Sequence, residues 1–165
     1  MERDEVDQEL VEWAANLPGV DMSGRHILWR VAIIAKLVDR RLAEIGREVG
    51  LSGSPFKVML ALLRSRPEHQ LSPGQLAREG GLTSGTMTAL IDQLEGRGLV
   101  ERHPDPLDRR ALLVRLTPEG RQLIERAHQA YLIEERELLR VFDAREREQL
   151  IELLRKLLVS LEEPR

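Results

Sequence analysis

A chain of 165 residues with 42% hydrophobic and 32% charged side chains is long enough for one domain, or one domain with helical arms, but hardly for two independent cores. The absence of cysteine removes disulfides, thiolate metal sites and cysteine redox sensing, and 3% aromatics argue against a stacking platform for single-stranded nucleic acid. The net charge of −3 is uneven: residues 64–121 hold 9 Lys and Arg against 8 Asp and Glu, whereas the first twelve hold six acidic side chains and one Arg.

Leu, Ala, Glu and Arg dominate, which favours helices. A short amphipathic helix is predicted over 6–16, with Val6, Leu10, Val11 and Trp13 on one side, and Pro18-Gly19 breaks it. A long helix follows over 23–49, where Ile27, Val31, Ile34, Val38, Leu42 and Ile45 recur every three or four residues. Ser54-Pro55 reads as a cap followed by Pro at the first helical position, opening a helix to about residue 66. Ser72-Pro73-Gly74-Gln75 is a stronger start, with Gln75 placed to complete a capping box. Thr117-Pro118 repeats the cap before a long helix to about residue 142. Asp143 to Glu146 is another capping box, and its helix carries Leu150, Leu154, Leu157 and Leu161 at the spacing of a dimerisation seam. No apolar stretch approaches the roughly 20 residues that span a bilayer. The first residues also lack the basic–apolar run of a signal peptide, so a cytoplasmic protein without membrane contact is expected.

The informative segment begins at Leu71. After the short helix from Pro73, Gly80-Gly81-Leu82-Thr83 breaks the chain and Thr83 can cap the next helix. A helix-turn-helix needs a small residue on its first helix and, four residues later, one that tolerates positive φ; Ala77 and Gly81 have that spacing. Leu76, Leu82, Met87 and Leu90 fall where apolar anchors belong, while Gly80 stands where an apolar side chain is more usual. The second helix buries Met87, Leu90, Ile91 and Leu94. Its other side presents Ser84, Gly85, Thr86, Ala89, Gln93 and Arg97, with Thr88 at the boundary. Small polar groups on the first turn permit close approach to a major groove, and a helix N-terminus favours phosphate. Residues 99–103 and 111–116 then read as two strands around a turn-rich loop with adjacent Arg109 and Arg110. A strand, a basic loop and a strand after such a helix describe a wing, and arginine at its tip suits a narrow minor groove.

Gly-Leu-Val-Glu-Arg (98–102), Asp-Pro-Leu-Asp-Arg-Arg (105–110) and Arg-Leu-Thr-Pro-Glu-Gly (115–120) together resemble the MarR family. The resemblance runs from residue 71 to 120 and, more loosely, from 24 to 161. It implies a mainly α fold with a small antiparallel β wing, a winged helix-turn-helix between N- and C-terminal dimerisation helices. The expected organisation is an N-terminal extension and long dimerisation helix over 1–53, a DNA-binding lobe over 54–116, and C-terminal dimerisation helices over 117–165, all in one intertwined domain. The implied function is that of a transcriptional regulator, a repressor in the first instance, whose homodimer binds a pseudo-palindromic operator in double-stranded DNA. Arg109 and Arg110 would reach the minor groove, with Asp108 positioning the wing through a salt bridge. Many relatives carry Arg where this chain has Ala89, so base reading is expected to lean on Ser84, Thr86, Thr88 and Gln93. Arg78 and Arg97 are candidate phosphate contacts, as readily read as solvated surface arginines.

The resemblance also implies a small-molecule effector that lowers DNA affinity. His26, Trp29, Arg30, Phe56, Lys57 and Met59 are the candidate ligand residues, and Arg30 and Lys57 beside aromatic groups favour an anionic aromatic ligand. Trp29 and Met59 read more readily as core residues than as ligand contacts. The extension resembles the urate-responsive branch of the family, but that branch has Asp where Lys57 follows Phe56, so urate recognition does not carry over. The four histidines at 26, 69, 103 and 128 show no metal-ligand spacing, and no metal or cofactor is expected. No Gly-x-Ser-x-Gly elbow, phosphate-binding Gly loop or metalloprotease helix is present, so an enzyme is not expected. A winged-helix protein acting through protein–protein assembly, with little DNA binding, is the competing reading that the acidic balance and Ala89 support.

Overall fold

A computed structural model describes residues 3–65, 69–106 and 111–162. The chain divides into two compact units, Met1–Ser52 and Gly53–Arg165.

In the first unit, helix α1 (Glu5–Asn16) packs on the long helix α2 (Ser23–Glu48). Asp4 caps α1 by accepting from the Asp7 N–H at 3.0 Å, and the Asp7 carboxylate accepts from the Asp4 N–H at 3.3 Å. This is a reciprocal box built from two aspartates. The apolar side of α1 divides: Val6 and Leu10 are buried, while Val11 and Trp13 stay exposed. Arg30 on α2 reaches back and binds the box itself, its Nε and Nη2 donating to Asp4 at 2.8 and 2.9 Å and Nη2 to Asp7 at 2.7 Å. Arg25 lies between the two tryptophans, 5.2 Å from the Trp13 ring and 5.6 Å from that of Trp29. Along α2, Ile27, Leu28, Val31, Ile34 and Leu37 are exposed.

The second unit opens with α3 (Ser54–Arg64), which begins one residue earlier than the cap pattern suggests. Gly53, at φ +66, is the cap and Ser54 is already helical. Strand β1 (Gln70–Leu71) leads to α4 (Pro73–Gly80) and α5 (Ser84–Gly96), followed by β2 (Val100–Pro104), β3 (Leu112–Leu116), α6 (Pro118–Leu138) and α7 (Ala144–Glu162). Among the described residues the strands form one antiparallel sheet in the order β1-β3-β2, with Arg102 opposite Val114 and Leu71 on β3's other side opposite the same residue. Both strands of the hairpin start one residue later than their sequence pattern suggests. The two-residue β1 was not foreseen, because it is too short to show alternation.

The core of this unit is continuous from α3 to α6. Met59, Leu62, Met87, Ile91, Leu94, Val114 and Ile124 are fully or almost fully buried, and Phe56 stacks on Tyr131 with centroids 4.1 Å apart. The start of α6 is held close to the end of α5. The Thr117 N–H donates to the Leu99 carbonyl at 3.2 Å, and its hydroxyl donates to the Gly98 carbonyl at 2.6 Å. The backbone passes so near that a Cβ on Gly120 would stand 1.9 Å from the Leu99 oxygen, so only glycine fits. Helix α6 stops at Leu138 rather than near 142, and the chain turns before Asp143 and Glu146 form the expected box at 2.9 Å in both directions. Helix α7 buries none of its side chains in the single chain.

Candidate nucleic-acid interface

The two helices of the candidate reading unit are set by local devices. Ser72 accepts from the Gln75 N–H at 3.3 Å, and the Gln75 side chain accepts from the Ser72 N–H at 2.8 Å, fixing the start of α4. Gly81 ends that helix in the left-handed conformation, φ +61 and ψ +31, as the Ala77–Gly81 spacing predicts. Ala77 and Leu76 are buried beneath the crossing, and Leu82 is half-buried. Thr83 caps α5 by accepting from the Thr86 N–H, and the two hydroxyls lie 2.8 Å apart.

Helix α5 is two-sided. Met87, Leu90, Ile91 and Leu94 are buried, and Ser84, Gly85, Thr86, Thr88, Ala89, Gln93 and Arg97 are exposed on the other side. The Thr88 hydroxyl donates to the Ser84 carbonyl at 3.0 Å, so it lies back along the helix. Thr88, placed at the boundary by its periodicity, is therefore a member of the exposed face with a locally engaged hydroxyl. Arg97 forms the C-cap of α5, and Arg78 is exposed on α4.

The β2–β3 hairpin stands directly after α5. Its outer face carries a cross-strand ion pair between Glu101 and Arg115. Asp108, Arg109 and Arg110, the candidate wing-tip residues, lie outside the described residues. Sequence reading missed what joins the hairpin to α5. Arg102 donates through Nη2 to Asp92 at 2.5 Å and through Nη1 to Glu95, while its backbone N–H donates to Glu95 Oε1 at 3.0 Å. The Asp92 carboxylate, and then the charge of Glu95, push the Arg102 guanidinium above its ordinary value against partial desolvation. The visible signal was the run Val100-Glu101-Arg102, which puts a charge where strand alternation asks for an apolar residue.

The candidate ligand residues fall into both units. His26 and Arg30 are one turn apart on α2, where the Arg30 Nη1 donates to the His26 carbonyl at 2.8 Å. The Arg30 donors are thus already engaged by Asp4, Asp7 and His26. His26 also lines a groove of about 490 Å³ with Arg3, Asp7, Leu10 and Met22. Trp29 is half-buried beneath Arg25. In the second unit Phe56 is buried against Tyr131, Met59 is wholly buried, and Lys57 is exposed. In the candidate seam, Leu154 and Leu161 are exposed and Leu150 and Leu157 half-buried. No group of three or more potential metal ligands occurs among the described residues, and no described helix is long and apolar enough to cross a membrane.

Comparison with known proteins places this geometry. Residues 49–111 match a family model described as the MarR family. The HTH-type transcriptional regulator PecS of Dickeya dadantii is 29% identical over 150 residues, spanning 91% of this chain and 90% of that protein. A crystal structure of mutant MarR from E. coli complexed with operator DNA superposes with a TM-score of 0.67 at 30% identity, covering 84% of this chain and 99% of that one. A MarR family protein from Bacillus stearothermophilus superposes with a TM-score of 0.74 at 25% identity over 88% of this chain and all of that one.

Proposed function

The chain belongs to the MarR family and is a winged-helix transcriptional regulator rather than an enzyme, and we propose that it works as a cytoplasmic homodimeric repressor on a pseudo-palindromic operator. The observation that carries this reading is the two-sided α5, capped by Thr83, with a small polar face turned outward beside an antiparallel hairpin. Ser84, Gly85, Thr86, Thr88, Gln93 and Arg97 face the major groove, and Arg109 and Arg110 enter the flanking minor groove with Asp108 as their support. The operator-bound E. coli relative supports the mode of engagement. Homodimerisation through α7 and α2 is supported by the apolar rows that each leaves exposed in a single chain.

A small aromatic effector releases the DNA in this reading. With Arg30 engaged by Asp4 and Asp7, the exposed Lys57 supplies the positive charge for an anionic ligand. Binding of the purified chain to a duplex from the region upstream of its own gene, against a shuffled duplex of equal composition, tests the proposal. A preference for the upstream duplex, with two chains bound per duplex, is expected. Equal binding to both duplexes would favour the protein-assembly reading instead.

A further inference from the structure

The hairpin and α5 are separate elements, yet a duplex would have to meet both at once, and Arg102 is a charged side chain that joins them. Arg102 pairs with Val114 across the sheet and lies two residues from Val100, so it belongs to the inward row of β2, beside side chains that are wholly buried. A guanidinium on that face is unfavourable unless its charge and donors are met. Asp92 and Glu95, one helical turn apart on α5, meet them, Asp92 at 2.5 Å. Glu95 also accepts from the Arg102 backbone N–H at 3.0 Å, and β2 is an edge strand of the sheet, so this carboxylate covers an edge donor that no strand satisfies. Three hydrogen bonds thus run from one residue of the hairpin to two residues in the second half of α5.

Resting on the DNA-binding reading above, we propose that Arg102 is a positioning residue that fixes the angle between α5 and the wing, so that major-groove and minor-groove contacts fall in register. Arg102 does not itself touch phosphate: its charge is spent on two carboxylates, and it adds nothing to counterion release. Asp92 and Glu95 act with it, as the fixed end of the clasp.

The test uses the full-length chain and a duplex selected by the wild-type protein from a random pool. Asp92→Asn, Glu95→Gln, Arg102→Lys and Arg102→Met are each titrated with that duplex, and with unselected duplex, at several salt concentrations. Unfolding in urea is measured alongside. Arg102→Met should weaken binding to the selected duplex about tenfold or more, the scale of losing a charge-assisted hydrogen-bond pair. Its affinity for unselected duplex and its slope of log K against log salt should match the parent, and Arg102→Lys should restore part of the loss. Asp92→Asn and Glu95→Gln should also weaken selective binding, although each removes a negative charge. Tighter binding by either, or a shallower salt slope for Arg102→Met, would make Arg102 a phosphate contact and overturn the proposal. So would a loss matched by the fraction unfolded. Failure of the wild-type chain to select any duplex would instead bring down the DNA-binding reading itself.

Discussion

At the scale of single residues, two glycines in one unit make opposite claims. Gly120 has no room for a Cβ, since the nearest atom would be a backbone oxygen that cannot rotate away. Gly120→Ala should destabilise the fold by roughly 3 kcal/mol or more, at or above the usual range for overpacking. Gly80 is helical and a Cβ there meets Leu82 and Met87 at 3.5 and 3.6 Å, which is ordinary contact. Gly80→Ala should therefore stabilise by about 0.5–1 kcal/mol, as expected for glycine removed from a helix. Urea denaturation of both variants checks the pair, and equal effects would contradict the packing described. Sequence reading noted Gly80 as an oddity and Gly120 as part of a family motif. The motif could not show the lack of space at Gly120, because Leu99 lies 21 positions before it. Asp4 gives a second residue-scale test. Arg30 first, and then the Asp7 N–H, hold its carboxyl below the ordinary 3.8. With a depressed folded value, its contribution is in force above 3.8 and is lost as pH falls through the lower value. Fluorescence of Trp13 and Trp29 should thus hold steady on acidification to about pH 4 and change below it. Arg30→Met should move that change to higher pH; superimposable profiles would show that the pairing does not hold α1.

At the scale of elements, what could be read from the sequence was what local chemistry decides. The boxes at Ser72 and Asp143, the caps at Thr83 and Thr117, and the left-handed Gly81 each depend on residues within four positions, and all occur as read. The buried set of α5 follows from its 3.6-residue period in the same way. Two features that escaped depend on partners far along the chain: β1 exists only because β3 pairs with it, and the Arg102 clasp spans 10 residues to Asp92; the cap read at Ser54 was instead displaced locally, to Gly53. Helix α7 poses an element-scale test. Ile151, Leu153, Leu154, Leu158, Val159 and Leu161 are exposed on it, more apolar surface than the four-leucine seam alone describes. Ending the chain after Asp143 should convert a dimer to a monomer in light scattering, at micromolar concentration. A dimer unchanged from the parent would remove α7 from the interface.

At the scale of the whole molecule, the acidic total obscures an uneven sequence, in which residues 64–121 are balanced to within one positive charge and the flanking segments are acidic. Its net charge of −3 arises mainly from the ends of the chain, while Arg109 and Arg110 follow a strand anchored to α5 through Arg102. The helix pair and the hairpin together make the site persuasive; either alone is common in proteins that do not bind DNA. The most direct test compares the parent chain with the Arg109→Ala, Arg110→Ala double variant in salt titrations against the upstream duplex. The parent should show log K falling linearly with log salt and a preference for that duplex over a shuffled one. The double variant should remain dimeric, bind the duplex at least about a hundredfold more weakly and give a shallower slope. Parent binding that is insensitive to salt, or a double variant that binds as the parent does, would contradict the account.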